Sequence, residues 1–125
     1  MAEPHEQLVD DVRAFIRAGE RLAEGVTALN SMNAEALDDL ERGMSLTESV
    51  RRRDSAAWSR RVTTLLDEFE AARRTVRAST TTVLLDEGRS IADVARVFGV
   101  SHQLAGRFVR PPRDGVDAGA PAGTD

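Results

Sequence analysis

The chain has no cysteine, no tyrosine and no lysine, and a single tryptophan. The missing thiols exclude disulfides, thiolate zinc sites and a cysteine nucleophile. No apolar run approaches the length that spans a bilayer, and the acidic start Met1-Ala-Glu-Pro-His-Glu does not read as a signal peptide. A cytoplasmic protein with no membrane partner is therefore expected. All seventeen basic residues are arginine, a usage that fits a GC-rich coding sequence and suggests a bacterial source.

The residues that carry catalysis are equally sparse. His5 and His102 stand far apart, and neither belongs to a metal-ligand pair. His5-Glu6 begins like the zinc-protease helix motif, but position 9 is Val where the second histidine should stand. The neighbouring acids Asp10-Asp11, Asp38-Asp39 and Asp67-Glu68 read as solvated helix faces. There is no glycine-rich phosphate loop and no nucleophile elbow. The expectation is a protein that is not an enzyme, with no cofactor and no metal.

What is present is length for one compact domain, 125 residues, and an uneven charge. The net charge is −4, but residues 1–50 carry eleven acids against four arginines. Residues 51–113 carry thirteen arginines against seven acids, and the last twelve residues add three acids. An acidic assembly region followed by a basic half is the polarity of a protein that meets nucleic acid through its second half.

Helical periodicity runs through the whole chain, which predicts an all-α fold. From about His5 to Asn30, Leu8, Val12, Phe15, Leu22, Val26 and Leu29 recur in steps of three and four. Val9, Ile16 and Ala23 widen that stripe beyond a two-stranded coiled-coil seam, as in a helix bundle. Asn30-Ser31-Met32-Asn33 reads as a turn, after which Leu37 and Leu40 are expected to face inward. Ser45-Leu-Thr-Glu48 offers a capping box, and Asp54-Ser55 another cap. Ser55 to Glu87 reads as one long helix with a seam through Trp58, Val62, Leu65, Phe69, Ala72, Val76, Ser79 and Val83. Thr80-Thr81-Thr82 is its expected weak point. Beyond Pro112 the tail has no apolar period and is expected to be disordered.

Ser90 to Arg110 is the most informative stretch. Ser90 caps a short helix with Asp93 three residues on, and Val94, Ala95 and Phe98 form its apolar face. Gly99 sits where a helix ends in a left-handed residue, Val100 plugs the corner, and Ser101 caps a second helix. Pro111-Pro112 is expected to stop that helix. Ala95 is the small residue at the closest approach, four before the glycine. This pattern resembles the helix-turn-helix of bacterial transcription regulators and site-specific recombinases. The phrase G-R-S-I-A-D-V-A-R-V-F-G-V-S-H-Q is similar to versions preceded by an L-L-x-E-G helix end, here Leu84 to Gly88. The resemblance covers roughly Arg77 to Arg110 and departs from the usual pattern at Ala105 and Gly106, where a larger apolar residue and a better helix former are usual.

The long amphipathic helices suggest a bundle that dimerises through residues 1–74, the resemblance implies a three-helix DNA-binding unit at 75–111, and a tail follows at 112–125. The second helix of the motif would enter the major groove. Its outward candidates are Ser101, His102, Gln103, Gly106, Arg107 and Arg110, with Arg89 and Arg96 flanking toward phosphates. Gln can pair with adenine and Arg with guanine, each through two hydrogen bonds. The expected partners are double-stranded DNA and a second copy of the chain, with another protein on the N-terminal helices as a further option. A dimeric transcriptional regulator is the expectation. A DNA-processing accessory for partition, packaging or recombination, or an interaction adaptor that keeps the fold without the DNA, remain the alternatives.

Overall fold

The computed structural model describes residues 3–109, and every element among them is an α-helix. In chain order these are α1 (Pro4–Glu41), α2 (Leu46–Arg51), α3 (Ser55–Asp86), α4 (Ile91–Phe98) and α5 (His102–Arg107). Among the described residues, no helix is long and apolar enough to cross a membrane. Arg110, Pro111-Pro112 and the tail lie outside the described residues.

The helix α1 opens with proline at its first helical position, where the missing N–H would have had no partner. It then runs for 38 residues without a break. The turn expected at Asn30–Asn33 does not form. No glycine or proline stands there, and two asparagines cost only a few tenths of a kcal/mol each, about 0.5, against neighbours such as Ala28, Leu29 and Ala34 that favour helix. Helical register therefore carries through to Glu41. In that register the inward positions are Ala36 and Asp39, while Leu37 and Leu40 turn outward and are exposed, contrary to expectation.

Three helix ends follow one rule. Gly43, Gly88 and Gly99 have φ of 89°, 87° and 65°. At Gly88 the amide donates to Leu85 O at 3.0 Å and the next amide, Arg89, to Leu84 O at 2.9 Å. Gly99 and Val100 repeat this onto Arg96 and Ala95. Both are the two-bond closure that satisfies the last carbonyls of a helix and needs a left-handed residue. The long helix α3 is continuous through Thr80-Thr81-Thr82. Thr81 and Thr82 donate their hydroxyls to the carbonyls of Arg77 and Ala78, at 2.8 and 3.1 Å, so the helix absorbs the groups that were expected to weaken it.

The chain divides into two compact units. One is Arg13–Arg73; the other joins residues up to Val12 with those from Arg74 onward. Within Arg13–Arg73, α1 and α3 pack antiparallel. Phe15 stacks on Phe69 with ring centroids 5.0 Å apart, Arg21 pairs with Glu68 at 3.6 Å, and Gly25 lies under Leu65. Leu65 is buried, and Trp58, Val62, Phe69 and Ala72 are half-buried beside it, as the seam predicts. Val26 stands 41% exposed, outside the α1 stripe it was expected to join.

The α2 turn is held by charge rather than by apolar contact. Asp39 accepts from Arg53 at 2.8 Å, from Arg52 at 3.0 Å and from the Ser49 hydroxyl at 3.3 Å. The side chains of Asp39 and Arg53 are only 10% and 11% exposed. The hydrogen bond from Arg53, with help from the Arg52 charge, holds the Asp39 carboxyl below the usual carboxylate range and outweighs the opposing effect of burial. Arg52 and Arg53 thus meet Asp39 near the end of α1.

Two outcomes follow. An added Cβ at Gly25 runs into Leu65 Cδ1, so Gly25→Ala should lower stability in urea or thermal unfolding. The expected net loss is about 1 kcal/mol, because overpacking of about 1–3 kcal/mol exceeds the helix-propensity gain of about 1 kcal/mol. Asp39 has a depressed pKa when folded, so its contribution is complete above the ordinary carboxylate pKa and is lost as pH falls through the lowered value. Asp39→Asn should therefore be less stable at neutral pH and show a shallower loss on acidification than the parent, measured by melting temperature across acid pH.

Candidate nucleic-acid interface

The site is built by α4, α5 and the end of α3. Ser90 accepts from the Asp93 amide at 3.1 Å while Asp93 accepts from the Ser90 amide at 3.0 Å, so the expected capping box is complete. The Ser90 amide and hydroxyl, more than the Arg96 guanidinium, hold the Asp93 carboxyl below its ordinary value. Arg96, an expected phosphate contact, makes an ion pair with Asp93 one turn away. Ser101 caps α5 by accepting from the Leu104 amide at 3.0 Å.

A small core fixes where α5 sits. Val94 and Ala105 are fully buried, with Ala95 and Phe108 close behind. Leu84, Leu85, Ile91, Phe98, Val100 and Leu104 pack around them. Phe98 and Phe108 meet edge to face, centroids 5.4 Å apart at 90°, the geometry favoured by aromatic quadrupoles. The Arg77 guanidinium lies 4.3 Å from the centroid of the Phe108 ring, a cation–π contact that ties α3 to α5. The departure at Ala105 thus has a use. A larger side chain has no room at a position that is wholly enclosed.

With Ala105 and Phe108 inward, the opposite face of α5 is set. Ser101, His102, Gln103 and Arg107 are exposed, and Gly106 is half-buried with nothing within 4 Å of where a Cβ would stand. Arg89 is exposed between Gly88 and the Ser90 cap. Of the eight residues singled out, Ser101, His102, Gln103, Gly106 and Arg107 therefore come together on one short helix and its cap. Arg89 stands before α4, Arg96 pairs with Asp93 on α4 while its side chain stays largely exposed, and Arg110 lies outside the described residues. The second helix ends at Arg107, with Phe108 as its cap, before the prolines that were expected to stop it. Arg77 was not among the candidates; its position two turns before the L-L-x-E-G helix end that starts at Leu84 is the signal that places it near the motif.

Elsewhere, Arg21, Arg60, Arg61, Thr64, Leu65 and Glu68 line a shallow groove of about 450 Å³. Its chemistry is that of a wet surface, since Arg21 is already paired with Glu68. Among the described residues no three His, Asp or Glu side chains gather to hold a metal ion. No family model, no curated protein and no solved structure matches the chain.

The caps and the vacant space at Gly106 make a paired prediction. Ser90→Ala should cost about 1 kcal/mol by removing the α4 cap. Gly106→Ala should gain about 0.5–1 kcal/mol, because the new methyl meets no atom and the helix loses its most flexible residue. Urea unfolding of both variants beside the parent reads the two signs directly.

Proposed function

We propose that the chain binds double-stranded DNA through a helix-turn-helix formed by α4 and α5, as a bacterial transcriptional regulator that works as a cytoplasmic homodimer without catalysis. One arrangement carries this reading. The side of α5 bearing Ala105 and Phe108 is buried, so its opposite side offers Gln103 and Arg107 together, the side-chain types that read adenine and guanine edges. The left-handed Gly99, the buried Ala95 and the two serine caps agree with the resemblance in sequence. From residue 88 to 109 three arginines face one acid, the sign that a phosphate backbone requires. A long α1 ahead of the motif suits the region that pairs two such units, since one unit reads only a few base pairs.

An interaction adaptor is the second reading, favoured by one observation. Val97 and Val109 are large apolar residues left exposed on α4 and just beyond α5, as on a surface that meets protein.

Binding titrations on genomic fragments, then on retained and scrambled duplexes at several salt concentrations, test the proposal. Arg107→Ala should cost about 1–3 kcal/mol on the preferred duplex and relax the choice of base at one position. Arg89→Ala should weaken all duplexes alike and lower the salt slope by about one. Parent-like binding by the folded Arg107→Ala and Gln103→Ala variants would rule out reading by α5. A parent that binds no duplex at any salt leaves the adaptor reading.

A further inference from the structure

The inward face of α1 is already occupied by α3, yet a second apolar stripe on α1 is not. Ile16, Ala23, Asn30 and Leu37 follow one another at intervals of seven, and Gly19, Val26, Asn33 and Leu40 do the same three residues later. Together they form an unbroken alternation of three and four residues, the spacing of a coiled-coil seam. None of the eight is charged. Ile16 and Leu37 are 56% and 57% exposed, Val26 and Leu40 41% and 43%; Ala23, Asn30 and Asn33 are exposed as well, and only Gly19 is half-buried. From Ile16 to Leu40 the stripe is about 36 Å long at 1.5 Å per residue.

We propose that this stripe is the face on which a second copy of the chain docks, with the two α1 helices parallel and in register. This names the surface for the dimer proposed above and does not depend on what α5 binds. The Arg13–Arg73 unit is short of core: among its apolar side chains only Ala18 and Leu65 are buried. A unit of that size normally needs a larger core to hold together. The stripe supplies the missing area once it is covered.

The two asparagines choose the occupant and its direction. Buried opposite apolar side chains, they would lack hydrogen-bond partners. An antiparallel copy centred on the stripe sets Asn30 against Val26 and Asn33 against Ala23, and one shifted to set Asn30 against Asn33 leaves Ile16 and Gly19 facing positions 47 and 44, beyond the end of α1 at Glu41. A parallel copy in register sets Asn30 against Asn30 and Asn33 against Asn33, where each amide can donate and accept across the two-fold axis. The same register stacks Ile16, Ala23, Val26, Leu37 and Leu40 each on itself, while Gly19, at the edge of the stripe, lies beside Phe69 of α3. Charge permits it too. The flanking acids Glu20 and Glu41 meet positions 15 and 36 of the second copy, Phe and Ala, so no like charges face each other.

The test uses the full chain without nucleic acid. Sedimentation or light scattering at micromolar concentration should give twice the 13.6 kDa chain mass. Because the chain has no cysteine, single substitutions report proximity cleanly. Asn30→Cys and Asn33→Cys should each form a disulfide-linked dimer under mild oxidation, and Glu24→Cys, on the charged side of α1, should not. A parent of single-chain mass across that range would overturn the proposal. So would equal cross-linking at Glu24→Cys, and preferential linking of Val26→Cys chains to Asn30→Cys chains would overturn the parallel register. None of these outcomes bears on duplex binding, so a failure here and a failure of the α5 reading remain distinct.

Discussion

A helix that stops leaves four carbonyls without partners, and the next helix begins with four amides in the same state. This chain meets both demands with one short phrase, used three times. Gly43-Met44-Ser45, Gly88-Arg89-Ser90 and Gly99-Val100-Ser101 join α1 to α2, α3 to α4 and α4 to α5. Each glycine closes the helix behind it, and each serine caps the helix ahead. Because the two functions lie two residues apart, the direction of one helix constrains that of the next. The small core of α4 and α5 can then form from very few side chains. The remaining joint, α2 to α3, has no glycine. Arg52 and Arg53 close it through Asp39, and Asp54 caps α3 by accepting from the Ala57 amide at 3.1 Å.

Much of this was legible in the sequence, because caps and left-handed glycines act over three or four residues and need no knowledge of distant partners. The all-helical class, the α3 seam from Trp58 to Val83 and the Ser90–Asp93 box were all readable in that way. The break expected at Asn30–Asn33 failed for a physical reason. Asparagine favours turns only where it can bond to its own backbone in place of the helix, and a helix with good formers on both sides outbids it. The error then propagated: moving the helix end by eleven residues rotated Leu37 and Leu40 from inside to outside and put Asp39 in their place. A buried carboxylate on a helix face carries no sequence signal until its arginines are found.

The candidate interface was legible in its periodicity and less so in its pairing. One face of α5 must be buried, and the sequence showed which, so the grouping of Gln103 and Arg107 followed. The fate of each arginine did not follow. Arg96 has an acid three residues before it and takes it, whereas Arg77 finds an aromatic ring thirty-one positions away. A guanidinium can satisfy itself on carboxylate or on a ring face, and only the fold decides between them. The same holds for Gly106, whose emptiness is a property of its surroundings rather than of its type.

Trp58 lies half-buried near the start of α3, within Arg13–Arg73, and the chain has no other tryptophan and no tyrosine. Intrinsic fluorescence from the indole consequently originates in that unit alone. The phenylalanines around α4 and α5 emit too weakly to compete, so the two units are optically separate. Emission follows the long-helix unit while helical ellipticity sums over both, and any difference between the two signals on heating measures how independently the units melt.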